Sequence, residues 1–199
     1  IPPSFSQLEA LVLFSILQNK ITGIIPPQLF GVTNLQDIDL SHNSISSSIP
    51  TEIVQLSKLV SISLHDNHIT GTIPTEICAL SELFHIHIGH NYITGSIPIE
   101  LGLLIKLRYV DMGALSLTGM LPSSIISLIR IEQLFLGRNT ITGTVMSDIG
   151  SLNRLYKLNL GNNLFSGLLT RSVYVEFEMN LFTGSIPNSI TNMTAIGYL

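Results

Sequence analysis

Histidines and aspartates cluster in one part of this 199-residue chain, and they are the side chains here that could do chemistry. All six histidines fall between His42 and His90, and Asp39, Asp66 and Asp111 accompany them. Imidazole and carboxylate groups together can bind Zn²⁺. Imidazole also gains a proton near pH 6.5, which allows pH-dependent recognition. The third interpretation is a hydrated polar surface with ordinary His–Asp neighbours.

Aromatic and basic residues extend further along the chain, and they suit the binding of another macromolecule. Tyr and Arg are frequent at the energetic centres of protein interfaces. The set comprises Phe84, Tyr109, Phe135, Arg138, Tyr156 and Tyr174, with Arg108 beside it. We interpret it as a surface for protein or peptide recognition.

Composition argues against several other functions. Nine Lys and Arg oppose 13 Asp and Glu, a net charge of −4, so nucleic acid is not expected as a partner. The single cysteine, Cys78, excludes a disulfide scaffold and is interpreted as a small structural residue. No nucleophile elbow, phosphate-binding loop or metalloprotease motif occurs, so we expect neither an enzyme nor a cofactor. Nothing in the pattern fixes a tetrahedral ligand set, so no metal site is expected.

A repeat with a period of two dozen positions determines where these side chains lie. Asn recurs at 19, 43, 67, 91, 139 and 163, and Leu115 takes the one vacant place. An apolar residue follows each of these positions by two, Gly usually by four and Pro often by seven, giving the unit LxxLxLxxNxIxGxIPxxIxxLxx. Such a period indicates a solenoid, in which stacked units bury a face that one unit cannot bury alone.

Each position in the unit has a physical role. The LxxLxL segment predicts a short strand with its Leu and Ile side chains inward, and stacking at about 4.8 Å makes a parallel sheet. A buried Asn can satisfy backbone groups where the chain leaves the strand. Leu115 cannot, at a cost of roughly 1–3 kcal/mol. Gly permits positive φ, and the spacing of three in the outer segment predicts 3₁₀ or α turns.

The remaining strand side chains face solvent and form an inner wall, the usual ligand surface of a solenoid. His42, Asp66 and His90 share one repeat position and should form a column. A second column contains Asp39, Ser63, His87 and Asp111. The predicted ligand-binding residues are His42, Asp66, Phe84, His85, His87, His90, Arg108, Tyr109, Asp111, Phe135, Arg138 and Tyr156.

We expect residues 1–199 to be a single array of about eight repeats, incomplete at both ends. One repeat is shortened near 164–180, because Asn180 follows Asn163 sooner than the period requires. An irregular coil with a reduced outer wall is therefore predicted around 164–176. The apolar runs at 11–17 and 112–129 fit the repeat register, so no membrane span is expected within the chain.

The unit resembles the plant-type leucine-rich repeat of receptor-kinase ectodomains, receptor-like proteins and polygalacturonase-inhibiting proteins. The resemblance implies an α/β solenoid, a right-handed superhelix with a parallel concave β-sheet and short 3₁₀, α or extended segments on the convex side. It also implies noncatalytic binding of a protein, peptide or possibly glycan ligand by an extracellular or cell-surface protein. A secreted inhibitor-like binder is the alternative.

Two further features suggest an ice-binding function and a modification site. A Thr and Ser column on the flank, beginning at Thr22, resembles the Thr-x-Thr ranks of solenoid ice-binding proteins, although Ser or Thr before Gly is ordinary in these repeats. Asn192-Met193-Thr194 forms an N-glycosylation triplet, which makes Asn192 a candidate modification site.

Overall fold

The computed structural model describes residues 7–145, 147–167, 175–176 and 178–183, and its main feature is one parallel sheet of eight short strands. We call these the inner strands. Their order in the sheet is their order in the chain. They span Leu13–Ser15, Asp37–Asp39, Ser61–Ser63, His85–His87, Tyr109–Asp111, Gln133–Phe135, Lys157–Asn159 and Val175–Glu176. The predicted parallel sheet is confirmed.

The register of the inner strands follows the sequence period. Phe14 pairs with Ile38, Ile38 with Ile62, and Ile62 with Ile86, so each pair is separated by one full repeat. The middle residue of each of these strands is buried, whereas its two neighbours are at least partly exposed in most of them. Alternation of this kind puts the apolar side chain into the core and leaves the flanking side chains on the wall.

Short 3₁₀ helices form the outer side of the coils, as the spacing of three predicts. They span Pro27–Gly31, Thr51–Gln55, Thr75–Ala79, Ile99–Leu103, Ser123–Ser127 and Ser147–Ser151. The first five follow a proline with ψ between 132° and 141°, an extended conformation from which the helical turn begins. Each of these five buries a Leu or Ile against the core, such as Ile53 or Ile125.

A second set of strands, here called the flank strands, runs beside the coils and was not predicted. They form three small parallel sheets. Their bounds are Thr22–Ile24, Ser44–Ser47 and His68–Ile69; Thr94–Gly95 and Ser116–Leu117; Thr142–Thr144, Leu164–Gly167 and Leu181–Phe182. Gly95 adopts φ +81° here, and Ser47 holds a φ of 75° at the same repeat position without being glycine.

Buried asparagines join successive coils. The Asn67 Oδ1 accepts a hydrogen bond from the Ile45 amide of the preceding coil at 2.9 Å. Its Nδ2 donates to the Leu40 carbonyl of that coil at 3.0 Å and to the Leu64 carbonyl of its own coil at 3.1 Å. The same pattern recurs at Asn43, Asn91, Asn139 and Asn163.

Leu115 interrupts this ladder at one position. It is 8% exposed and has no oxygen to accept a hydrogen bond from the Ile93 amide, which is the group that the ladder position would bond. The two carbonyls that an Asn would also bond keep other donors, since Asn91 donates to Ile88 and Asn139 donates to Met112. The loss is therefore confined to one backbone donor.

The shortened repeat keeps both the sheet and the ladder. Val175 pairs with Leu158, although the interval between them is shorter than the period. Asn180 accepts a hydrogen bond from the Phe165 amide at 3.0 Å and donates to the Leu160 carbonyl at 2.9 Å. Residues 168–174, where most of the irregular coil is predicted, lie outside the described residues.

Cys78 packs in the core as a small residue. It belongs to the 3₁₀ helix Thr75–Ala79, and its side chain is buried. Burial, with a smaller effect from Glu100 and Glu76, raises the pKa of the thiol to about 12. A thiol that stays protonated is a weak nucleophile, which agrees with a structural role.

In the portion of the chain that the structure describes, no helix combines the length and the apolar character needed to cross a membrane. The apolar run at 11–17 contains an inner strand, and the run at 112–129 contains a flank strand and a 3₁₀ helix.

The ladder predicts a specific loss of stability. Asn67→Leu should lower the free energy of unfolding by about 1–3 kcal/mol, because it leaves the buried Ile45 amide without an acceptor. Urea denaturation measures the loss, and hydrogen exchange should show faster exchange at Ile45. Leu115→Asn is the matched variant and should slow exchange at Ile93. Unchanged stability and unchanged Ile45 exchange in Asn67→Leu would contradict the role of the ladder.

Candidate functional site

The predicted column of His42, Asp66 and His90 exists on the concave wall. Asp66 lies between the two histidines, with its Oδ2 3.5 Å from the His42 Nδ1 and its Oδ1 3.8 Å from the His90 Nδ1. About half of each imidazole side chain is exposed, at 49% and 55%. These three side chains are therefore accessible from solvent.

The backbone explains why this column stands where it does. His42, Asp66 and His90 have φ of 52°, 53° and 54°, in the left-handed region. The same conformation recurs at the corresponding position of every coil described: Gln18, Ala114, Arg138, Asn162 and Met179. His, Asp and Asn tolerate it better than most residues. The turn out of each inner strand thus holds one side chain at the rim of the wall.

The second predicted column also forms. Asp39, Ser63, His87 and Asp111 are register partners on consecutive inner strands. The His87 Nε2 lies 3.3 Å from the Asp111 Oδ2, and each side chain is 19% exposed. Asp111 also accepts a hydrogen bond from the Gly113 amide at 2.9 Å, so its carboxylate orients both the histidine and its own turn.

Aromatic rings connect the two columns diagonally, an arrangement the sequence analysis missed. We call these five rings the ring row: His42, His65, His87, Tyr109 and Phe135. Successive ring centroids lie 4.8, 3.6, 5.8 and 5.6 Å apart, and the His65 and His87 rings are stacked within 12°. From His42 to Tyr109, successive residues of the row are separated in the sequence by slightly less than one full repeat. No repeat column therefore contains two of them. His65 is the residue of this row absent from the predicted site.

Charged side chains extend the ring row at its later end. The Lys157 Nζ lies 4.9 Å from the Phe135 ring centroid, within the range of a cation–π contact. The Tyr109 hydroxyl donates to the Asp111 Oδ2 at 3.4 Å. Lys157 was also missing from the predicted site, although its place on the wall follows from the repeat.

The other predicted residues lie along one side of the ring row. The Arg108 guanidinium is 4.9 Å from the Phe84 ring centroid and 3.1 Å from the Glu132 carboxylate. The His85 and Tyr109 ring centroids are 4.5 Å apart. Tyr156 is 49% exposed, and its hydroxyl accepts a 2.7 Å hydrogen bond from the Gln133 side-chain amide.

Arg138 borders a shallow cleft on the other side. The cleft has a volume of about 260 Å³, and Phe135, Gly137, Gly161 and Glu178 also line it. Within the described residues, no carboxylate forms an ion pair with Arg138. Its guanidinium is therefore available to an anionic group of a ligand.

A column of glycines separates the rim from the strands: Gly89, Gly113, Gly137 and Gly161. A Cβ on Gly89 would lie only 2.9 Å from the Asp111 Oδ1. The Gly113 carbonyl oxygen would lie at the same 2.9 Å, so the close approach of the next coil favours glycine, which leaves bare backbone along the cleft.

Burial shifts the proton affinity of the central groups. It lowers the pKa of His65 and His85, and it lowers the pKa of His87 to about 4, with further lowering from the adjacent His65 and His85. Burial and the nearby Asp111 raise the pKa of Tyr109 to about 12. At neutral pH the centre of the ring row is thus an uncharged, hydrogen-bonding surface.

The predicted site residues that the structure describes lie on the inner strands or directly before or after them. Asn192, the candidate glycosylation site, and Tyr174 lie outside the described residues.

Comparisons with known proteins agree with the repeat and the fold. The Leucine rich repeat family model matches residues 9–69. The plant peptide hormone receptor RGFR1, solved in complex with RGF2, is 32% identical with a TM-score of 0.95, over 98% of this chain and 32% of that one. The Arabidopsis receptor kinase HAESA, solved with the peptide hormone IDA and the co-receptor SERK1, is 27% identical with a TM-score of 0.79, over 96% of this chain and 37% of that one. The chain belongs to the plant-type leucine-rich-repeat family.

This chain spans about a third of the length of those two receptor structures. A plant ice-binding protein matches at 23% identity with a TM-score of 0.75, over 94% of this chain and 70% of that one, and this likeness shows the fold alone. The comparison with curated proteins gave no match.

The lowered pKa of His87 predicts pH-dependent stability. In the unfolded chain His87 takes up a proton near pH 6.5, whereas in the folded chain it does so near pH 4. The unfolded state therefore binds more protons between these values, and stability should fall by up to about 3 kcal/mol as pH drops from 7 to 4. The groups facing His87 are His65, His85, His90, Asp66, Asp111 and Tyr109.

Urea denaturation in the presence of EDTA at pH 7 and pH 4.5 measures this effect. His87→Gln should weaken the pH dependence, and His68→Gln, which removes an exposed histidine of the flank, should preserve it. Equal pH dependence in the wild type and His87→Gln would contradict the assignment.

Proposed function

We propose that this chain is a noncatalytic recognition module that binds a protein or peptide ligand on its concave wall. The observation that carries the proposal is the continuous ring row from His42 to Phe135 on the solvent side of the sheet. A glycan is the second ligand class compatible with such a surface, since aromatic faces and paired polar groups suit sugars as well.

The ring row suits recognition because its side chains are already ordered. Tyr109 contacts His85, His87 and Phe135, so its ring position is set by its neighbours. A ligand that packs against such rings does not bear the entropy cost of ordering them. Tyr and Arg are also the residues that contribute most at interface centres.

The polar groups beside the rings indicate how a ligand would be oriented. Arg138 offers a cation at the cleft, whereas Asp66 and Asp111 offer carboxylates near the histidines. The bare backbone at Gly137 and Gly161 allows close approach of a ligand chain. An extended peptide with an anionic group at the Arg138 end fits this distribution of charge.

The similarity to RGFR1 and HAESA supports the same function, since both were solved with peptide hormones. We propose that the parent protein is receptor-like and displays this array, residues 1–199 with one shortened repeat, outside the cell or at its surface. The alternative to a receptor-like parent protein is a secreted inhibitor-like protein.

The hydroxyl column on the flank gives little support to an ice-binding function. Its hydroxyls donate to glycine carbonyls of the preceding coil, as Thr94 does to Gly71 at 3.1 Å and Thr142 does to Gly119 at 3.1 Å. Met120 is 69% exposed and Ile24 is 53% exposed in the second rank, where they interrupt the pattern. The hydroxyls thus have a structural role in the turns.

Peptide selection tests the proposed function. Peptides enriched from a random display library on the wild-type chain should bind Tyr109→Ala/Phe135→Ala/Arg138→Ala at least tenfold more weakly, because the triple variant removes central contacts of about 1–2 kcal/mol each. The control is Ile99→Ala/Leu103→Ala/Arg130→Ala, three exposed residues of the convex side, which should bind as the wild type does. Circular dichroism confirms folding of both variants.

Three outcomes would contradict the proposal: no enrichment of any peptide, equal binding by the wall variant, or equal loss in the convex control.

Thermal hysteresis separates the ice-binding hypothesis. At millimolar concentration the chain should show no hysteresis, because its flank hydroxyls donate to glycine carbonyls of the preceding coil. A freezing-point gap that disappears in Thr94→Val/Thr118→Val would overturn this expectation.

A further inference from the structure

We propose that His42, His65 and Asp66 form a binding site for a Zn²⁺ ion at the rim of the concave wall. The His42 Nε2 and His65 Nε2 lie 3.2 Å apart. The Asp66 Oδ2 lies 4.0 Å from the His65 Nε2, and one ligating atom from each residue lies within 4.8 Å of the others. No other cluster of three metal-ligating side chains occurs in the described ranges.

The spacing of the two imidazoles fits a zinc ion. Zinc binds imidazole nitrogen at about 2.0–2.1 Å in tetrahedral geometry, which places neighbouring ligand atoms about 3.3 Å apart. The Nε2–Nε2 separation matches this value without rearrangement. The Asp66 Oδ2 lies 4.0 Å from the His65 Nε2 and must move slightly closer to bind the same ion. The Asp66 side chain is 40% exposed and can do so by rotating.

His65 supplies the fixed ligand of the set. Its side chain is only 17% exposed, and its ring is stacked on that of His87 at 3.6 Å. The His65 Nδ1 is buried and has no hydrogen-bond partner among the described residues, so Nε2 is the nitrogen presented to an ion. His42 and Asp66 are more exposed and complete the site around it.

His90 orients the carboxylate from the other side. Its Nδ1 lies 3.8 Å from the Asp66 Oδ1, leaving Oδ2 on the side of His42 and His65. A group that contacts a ligating carboxylate in this way raises affinity by holding the ligand in place. His90 is therefore assigned a positioning role.

The donor set determines the class of metal. Two imidazoles and one carboxylate suit Zn²⁺ and its neighbours in the transition series, whereas Ca²⁺ and Mg²⁺ require oxygen ligands. Three protein ligands leave at least one coordination position open, as in zinc sites that accept water or an exogenous ligand.

The repeat columns alone predicted no metal site here. They place His42 beside Asp66 and His90, but His65 belongs to a different column. The diagonal approach of His65 to His42 is what brings two imidazole nitrogens close enough to share one ion. The site does not depend on the identity of the wall ligand proposed above.

Calorimetric titration of ZnCl₂ into the chelator-treated chain at pH 7.5 tests the site. We expect saturable binding of one ion per chain and no heat with CaCl₂. His42→Ala and Asp66→Asn should each weaken zinc affinity at least tenfold, and both residues are exposed enough for the variants to fold. His90→Ala should weaken it less than His42→Ala does. The matched control, His68→Ala, removes an exposed histidine outside the cluster and should bind as the wild type does.

Four results would contradict the proposed zinc site. These are the absence of saturable heat, unchanged affinity in His42→Ala and Asp66→Asn, an equal loss in His68→Ala, and a loss in His90→Ala larger than that in His42→Ala. Thermal melts of every variant with and without zinc provide a second readout, since an ion that binds only the folded state raises the melting temperature.

Discussion

The side-chain amides of the buried asparagines are the interaction on which the rest of the structure depends. A chain that leaves a parallel strand at the same place in every coil exposes backbone donors and acceptors toward the core, where water cannot reach them. Asn43, Asn67, Asn91, Asn139 and Asn163 satisfy these groups by bonding their own coil and the preceding coil at once. The ladder therefore keeps successive coils in register while apolar burial holds them together, and one interruption at Leu115 is tolerated because its carbonyls keep other donors.

Fixed register turns the sequence period into a surface. Side chains one full repeat apart become lateral neighbours on the sheet, and side chains separated by slightly less than a repeat become diagonal neighbours. The first relation produces the two His and Asp columns, and the second produces the ring row from His42 to Tyr109. The same turn holds His42, Asp66, His90 and Arg138 in a left-handed conformation, so these four side chains lie at the rim of the wall.

Much of this could be predicted from the sequence, for physical reasons that also explain what could not. The inner strands, the outer 3₁₀ helices and both columns follow from backbone periodicity, which the repeat unit specifies directly. The contact of His65 with His42 depends on side-chain rotamers, and no repeat column contains both residues. The flank strands were missed because the segment that forms them usually carries Gly, which is depleted in strands, beside its apolar residues. The glycine column was missed because it depends on how closely the next coil approaches, as at Gly89 and Gly137, and the repeat unit alone does not give that distance.

Labelling with pyrene tests most directly whether residues one period apart are neighbours on an open wall. Cysteines introduced at Asp37 and Ser61, register partners on adjacent strands, can be labelled with pyrene maleimide while the buried Cys78 stays unreactive. The account predicts strong excimer emission from this pair in the folded monomer and none from a pair at Asp37 and Tyr109, three strands apart. Excimer emission that is absent from the first pair, or equal in both, would contradict the stacked arrangement and the binding surface built on it.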